Sequence, residues 1–124
     1  MKRLVVLAAI VVLFGSAPAH AGGRLTTGSS GGSEVECAVV NISETKTITV
    51  AIKSRRIGSS TPIDEDLSAV LLPLRGNFGV DGGGFTDVWC EFLVVSGGSA
   101  KDLRGSMLMY DGTTFVGTEP AREK

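Results

Sequence analysis

Alternation of apolar side chains is clearest around the second of the two cysteines. The segment from Asp87 to Val95 reads DVWCEFLVV, and a period of two places successive side chains on opposite faces of a β-strand. One face carries Val88, Cys90, Phe92 and Val94, and the other carries Trp89, Glu91, Leu93 and Val95. We therefore predict a central strand whose cysteine face is buried.

Two earlier segments show related patterns. Thr45 to Lys53 places Ile48, Val50 and Ile52 on one face and mostly threonines on the other, which is typical of a strand with one solvated side. Val35 to Ile42 is apolar on both faces, which suits a strand inside a sheet. Because only a short link, Asn41 to Glu44, joins the two segments, we expect them to pair antiparallel.

The remaining pattern is weaker except at the end of the chain. Leu67 to Leu74 is apolar without clear alternation, and we favour a strand over a short helix because its surroundings are β-like. Gly76 to Gly84 is rich in glycine and predicts a surface loop. Lys101 to Tyr110 predicts a strand, and Asp111-Gly112 after it is typical of a tight hairpin turn.

These elements predict an all-β chain. Short strands, close turns and two distant cysteines favour a small antiparallel β-sandwich of about six or seven strands with one disulfide. A small β-barrel is the alternative fold. The cysteines can pair only as Cys37 with Cys90 within the chain, and two separate thiols or an intermolecular bond remain the alternatives.

The N-terminus predicts export. Residues 1–21 combine a cationic start, a short apolar run and small residues before Ala21, as in a secretory signal peptide. The apolar run is shorter than the ~20 residues of a membrane-spanning helix, so we expect no membrane anchor after cleavage. The expected location is secreted or periplasmic. Residues 22–33 predict a flexible Gly/Ser-rich leader, 34–118 the β-sandwich domain and 119–124 a charged tail.

Composition narrows the range of functions that the chain can have. Cleavage removes Lys2 and Arg3, so the 13 acidic residues outnumber the remaining bases, and we expect no nucleic-acid partner. The only histidine, His20, lies in the signal segment, and its loss removes histidine-based catalysis and the common zinc sites. We expect no enzyme, no cofactor and no metal; a small carboxylate-based hydrolase is the unlikely alternative.

Three aromatic residues are candidates for a binding surface: Trp89, Tyr110 and Phe85. Trp89 would be partly exposed on the face opposite Cys90, or else cover a second apolar side together with Leu93 and Val95. Asp81 and Asp87 flank a glycine run, which favours a flexible connection into the central strand over an ion or sugar site. Asp64-Glu65-Asp66 favours a solvated loop over a calcium site. Asn41-Ile42-Ser43 matches the N-glycosylation pattern, a match that is common by chance.

The segments ECAVVNIS, TKTITVAIK, WCEF, LRGSMLMYDG and EPAR together resemble a group of short secreted bacterial proteins that have one cysteine at each of these two places. That resemblance implies export and a sandwich-like fold, but no mechanism. The broad plan also resembles immunoglobulin-like domains, although Trp89 adjoins Cys90 and Val88 stands where those domains carry a tyrosine. The resemblance therefore implies the sandwich architecture and not membership.

We expect an exported, non-catalytic β-sandwich that serves as a binding or structural module of the periplasm or cell exterior. A carbohydrate- or protein-binding module that uses Trp89 is the alternative, and the partner would be a protein or a glycan.

The intact mass of the exported protein tests these expectations together. We expect a chain that begins at Gly22 and that takes up no alkylating reagent before reduction. A mass that retains residues 1–21, or two alkylated cysteines, would contradict export or the internal bridge.

Overall fold

A computed structural model describes residues 22–30, 33–84 and 87–124 of the chain. Nine strands and one short 3-10 helix, Ala100–Asp102, lie in these ranges. The strands are β1 (Arg24–Thr26), β2 (Glu34–Asn41), β3 (Ile48–Arg56), β4 (Asp64–Leu71), β5 (Gly76–Asp81), β6 (Val88–Ser96), β7 (Leu103–Asp111), β8 (Thr114–Pro120) and β9 (Arg122–Glu123).

The strands form two antiparallel sheets, which confirms the predicted β-sandwich. One sheet has five strands in the order β4-β3-β6-β1-β9, and the other has four in the order β5-β2-β7-β8. The hairpin between β7 and β8 turns at Gly112 with a φ of 60°, as the Asp-Gly pair predicted. No helix among the described residues is long and apolar enough to cross a bilayer.

The core lies between the inner faces of the two sheets. The predicted alternation is confirmed, because Ile48, Val50 and Ile52 of β3 are fully buried. The cysteine face of β6 is buried as well, with Phe92 as the largest of its side chains. The four-stranded sheet contributes side chains from β2 and β7 to the same cluster, among them Val35, Val39 and Met107.

The Cys37–Cys90 disulfide joins the two sheets through this core. Cys37 lies on β2 and Cys90 on β6, their Cα atoms are 5.7 Å apart, and both residues are fully buried. The predicted intramolecular bridge is therefore confirmed. It closes a loop with a sequence separation of 53 residues. The chain-entropy estimate for a loop of that size is about 4 kcal/mol of stabilisation.

The first and last segments of the described chain differ from the prediction. Arg24–Thr26 forms β1 beside β6, so the interpretation of this part of 22–33 as a flexible leader is wrong. Leu25 reaches the core and is only 5% exposed. Pro120 ends β8, and Arg122–Glu123 pairs with β1 as β9, so the segment predicted as a charged tail adds a strand to the sheet. The predicted signal peptide lies outside the described residues.

Two predicted loops contain strands. Gly76–Asp81 forms β5 and pairs with β2, so the surface loop predicted at Gly76 to Gly84 is wrong for its first part. The acidic run Asp64 to Asp66 belongs to β4. This strand then continues into the apolar stretch for which the sequence predicts a strand. In both cases the partner strand supplies the backbone hydrogen bonds that the local sequence does not specify.

The predicted pairing of β2 with β3 is wrong, because these strands lie in different sheets. The chain between them crosses from one sheet to the other, and both strands turn their apolar side chains toward the shared core. The fully buried Asn41 holds this crossing, since its Nδ2 donates to the carbonyl oxygens of Lys46 at 2.7 Å and Leu71 at 3.1 Å. A buried amide with these bonds does not serve as a glycosylation site.

A substitution at Gly105 on β7 tests how closely the two sheets approach each other. A Cβ atom at this position would lie 2.7 Å from Cε2 of the fully buried Phe92 on the opposite sheet. We expect Gly105→Ala to lower the free energy of unfolding by about 1–3 kcal/mol through overpacking. Chemical denaturation of the variant and the wild type measures the difference.

Gly117→Ala on the neighbouring β8 is the matched control. Its Cβ would lie 3.5 Å from Cε of Met109, which is ordinary contact, so we expect a change within about 0.5 kcal/mol. Equal effects of the two substitutions would show that the sheets are not closely packed at Gly105.

Candidate functional site

The most distinctive side chains outside the core lie on the outer face of the five-stranded sheet. Trp89 and Glu91 are on β6, the middle strand of that sheet, and alternate with Cys90 and Phe92, which point inward. Trp89 is opposite Arg55 of β3, and Glu91 is opposite Lys53 of β3 and Thr26 of β1. Trp89 is half-buried on this outer face.

Glu91 is the centre of an ion-pair network. Glu91 is only 4% exposed, although it lies on the outer face of the sheet. Oε1 accepts hydrogen bonds from Nε and Nη2 of Arg55, both at 3.3 Å, and Oε2 accepts one from Nη1 of Arg24 at 3.2 Å. One carboxylate is thus held by arginines from the strands on both sides, and two positive charges share one buried negative charge.

Arg55 links this network to the aromatic ring. Its guanidinium carbon lies 5.9 Å from the ring centroid of Trp89, within the range of a cation–π contact. The Arg55 side chain is 20% exposed, so the contact is partly desolvated. Arg55 therefore supports the indole on its β3 side and leaves the β1 side for other contacts.

A pocket of about 260 Å³ lies on that β1 side of Trp89. Its lining combines an aromatic ring, two cations and three hydroxyl side chains, respectively Trp89, Arg24 and Lys124, and Thr26, Thr27 and Ser29. Ile57 adds a second apolar surface. The pocket offers stacking, hydrogen bonding and positive charge to a small ligand group. Its lining comes from β1 and the residues after it, from β6, and from Ile57 and Lys124, which follow β3 and β9.

A second depression of about 480 Å³ adjoins the pocket and shares Thr26, Thr27 and Lys124 with it. Its further lining includes Arg122 together with the carboxylates of Glu119 and Glu123. We term these two neighbouring depressions at β1 the groove; the charged side chains are cationic in the first depression and of mixed sign in the second.

The predicted aromatic surface does not form as one unit. Tyr110 lies on β7 of the four-stranded sheet, where its ring contacts Phe115 edge-on at 5.8 Å between centroids. Trp89 belongs to the five-stranded sheet, so the structure does not bring these two rings together. Phe85 lies outside the described residues.

The acidic candidates have structural partners. Oδ1 of Asp81 accepts a hydrogen bond from the backbone N–H of Gly83 at 2.7 Å, and Oδ2 of Asp64 accepts one from the backbone N–H of Asp81 at 3.1 Å. Asp87 forms an ion pair with Arg56 at 3.1 Å. No group of three or more metal-ligating side chains occurs in the described part of the chain.

Sequence reasoning missed most of this site. It identified Trp89 and placed Glu91 on the same face, but it assigned no role to Arg24, Arg55 or Lys124. The sequence did contain one signal, a charged residue in the middle of an apolar central strand. Such a residue needs a partner of opposite charge. The identity of that partner depends on which strands flank β6, and local sequence does not give this.

Comparison with known proteins gives no match, since no family model, curated protein or solved structure is significantly similar to this chain. The resemblance to short secreted bacterial proteins therefore stays a prediction. The two-sheet fold and the Trp89 pocket are the observations from which a function can be argued.

Glu91→Gln tests the ion-pair network. The substitution keeps the shape of the side chain but leaves two neighbouring guanidinium groups without a counter-charge. We expect the free energy of unfolding to fall by about 1–3 kcal/mol, since the carboxylate is buried while the arginines are partly exposed. Thermal and chemical denaturation measure the loss.

Asp87→Asn is the control, because it removes the carboxylate of an ion pair whose side chains are 49% and 35% exposed. We expect this change to cost less than about 0.5 kcal/mol. A loss for Glu91→Gln no larger than that for Asp87→Asn would contradict a stabilising role of the network.

Proposed function

We propose that this chain is an exported, non-catalytic binding module that holds a glycan in the pocket beside Trp89. The single observation that carries the proposal is the combination in one pocket of a half-buried indole with three hydroxyl side chains and two cations. Large amphipathic rings present rigid contact area with little loss of conformational entropy.

The chemistry of the lining favours a sugar. The C–H faces of a sugar ring pack against an indole, while its hydroxyl groups exchange hydrogen bonds with Thr26 and Ser29. The Thr27 hydroxyl is already engaged, because it donates to the carbonyl oxygen of Gly28 and accepts from the backbone N–H of Cys90. The volume of about 260 Å³ is below the ~300–1,000 Å³ of typical small-molecule sites. This size suits one sugar unit of a longer chain, with the neighbouring unit in the adjoining depression.

The side-chain bonding on this face supports binding rather than catalysis. Glu91 is the buried carboxylate nearest to Trp89 on β6, and both of its oxygens accept hydrogen bonds from arginines. With both oxygens engaged by arginines, this carboxylate is poorly placed to contact a substrate as a catalytic group.

Export is part of the proposal. The Cys37–Cys90 disulfide is compatible with an oxidising compartment outside the cytoplasm. The signal-peptide pattern of residues 1–21 supports the same location. A secreted or periplasmic module with a glycan site would meet cell-wall or exopolysaccharide chains at that location.

The test compares two aromatic truncations on a glycan array and by calorimetric titration of the best ligand. We expect Trp89→Ala to weaken binding at least about tenfold, because it removes the stacking surface and the support of Arg55. Tyr110→Ala is the matched control on the other sheet, and we expect it to bind like the wild type within about twofold.

Circular dichroism of both variants shows whether they remain folded. Equal loss of binding in the two variants, or full binding by folded Trp89→Ala, would contradict the proposed site. Binding of proteins but of no glycan would overturn the glycan assignment.

A further inference from the structure

We propose that the Trp89 pocket selects an acidic sugar unit and binds its carboxylate with Arg24 and Lys124. This inference rests on the proposed glycan-binding function and names its ligand class. It is carried by three features of the described residues: the charge of the pocket lining, the orientation of Arg24 and the change of charge along the groove.

The first feature is the sign of the charge. Of the described residues that line the pocket, Arg24 and Lys124 are cationic and none is acidic. The nearby Glu91 offsets only part of this charge, because its one carboxylate is shared between Arg24 and Arg55. The side chains around the pocket therefore carry a net positive charge, although the overall charge of the chain is −1. An anionic group of a ligand is attracted to such a place.

The second feature is the preorganisation of Arg24. A guanidinium group has five N–H donors, and Arg24 gives one hydrogen bond, through Nη1, to Oε2 of Glu91. That bond fixes the side chain while 46% of its surface stays exposed. The other donors are available to form the paired hydrogen bonds with which arginine binds carboxylates. Glu91 acts here as a positioning residue.

The third feature is the composition of the adjoining depression. It carries Glu119 and Glu123 beside Arg122 and Lys124, so its side chains have no net positive charge with which to attract a second carboxylate. A chain in which every unit is acidic is therefore disfavoured. The groove fits a uronic acid next to a neutral unit, with the acidic unit stacked on Trp89 and the neutral unit beside β9.

The experiment uses matched pairs of oligosaccharides. Each probe is an oligosaccharide in which uronic acids alternate with neutral sugars, such as a hyaluronan hexasaccharide, and its partner is the same molecule with methyl-esterified carboxyl groups. Oligogalacturonate represents the fully acidic chain, and a poly-glutamate peptide represents acidic polymers without sugar. The chain contains one tryptophan, so its fluorescence reports binding at Trp89 directly.

We expect an alternating acidic oligosaccharide to bind at least about tenfold more tightly than its ester, because the ester loses the charge-assisted hydrogen bonds. Lys124→Gln and Arg24→Gln should each weaken binding of the acidic probe about three- to tenfold and should lower the ratio of its affinity to that of the ester. Arg75→Gln is the control, since it removes one exposed positive charge next to β5 on the other sheet. It should leave both affinities unchanged.

A measurement without sugar checks the pocket if a variant folds poorly. In folded wild-type protein, the ratio of iodide to caesium quenching of Trp89 fluorescence should exceed the ratio for free tryptophan, and Lys124→Gln should lower it. Lys124 has no role in the Glu91 network, so its substitution leaves that network intact.

The outcomes separate the two proposals. Equal affinity for acid and ester, with binding still dependent on Trp89, would overturn the acidic class and leave the glycan module standing. Tighter binding of poly-glutamate or oligogalacturonate than of the alternating chains would also overturn this inference. No binding of any glycan on the array would overturn the proposed function itself.

Discussion

The disulfide between Cys37 and Cys90 fixes the arrangement on which the rest of the structure depends. It ties the middle of β2 to the middle of β6, so the inner faces of the two sheets must meet there. Successive residues of a strand point in opposite directions, and the inward direction of Cys90 therefore forces Trp89 and Glu91 outward. The candidate site is in this sense a consequence of the core: the covalent bond that closes the sandwich also determines which side chains of β6 face the solvent.

An outward carboxylate that is almost fully buried requires compensation, and this requirement explains much of the outer face. Glu91 loses its hydration and regains stabilisation from Arg55 on one side and Arg24 on the other. Arg24 belongs to a strand of only three residues, whose backbone pairs with β6 and whose Leu25 enters the core. The ion pair, the backbone pairing and the buried leucine together order a segment that is rich in glycine and serine. The groove follows from the same contacts, because β1 supplies part of its lining.

Prediction from sequence succeeded where one strand carries its own pattern. The alternation in β3 and β6, the Asp-Gly hairpin and the cysteine pair were sufficient to predict a disulfide-linked antiparallel sandwich. It failed where pairing, and not local pattern, makes the strand. Gly76–Asp81 has no periodicity of its own and becomes β5 through its hydrogen bonds with β2. The link after Asn41 is short enough for a hairpin, but it crosses between the two sheets instead. The same distinction applies to the site. Trp89 was identified from its residue type, whereas Arg24 and Lys124 were not, because strand order brings these two residues to Trp89.

The position of the pocket on strands has a consequence for how it would bind. Trp89 stands on the middle strand of its sheet, with Arg55 against the ring and Glu91 holding both arginines, so the parts of the site are fixed before a ligand arrives. A preorganised site avoids the entropic cost of ordering flexible side chains on binding, and even a small pocket can then bind with useful affinity. Tyr110 and Phe115 form a ring pair on the other sheet, but no described arginine or carboxylate is paired beside them. What distinguishes the Trp89 face is therefore the charge network beside the ring, which makes a half-buried aromatic residue part of a defined pocket.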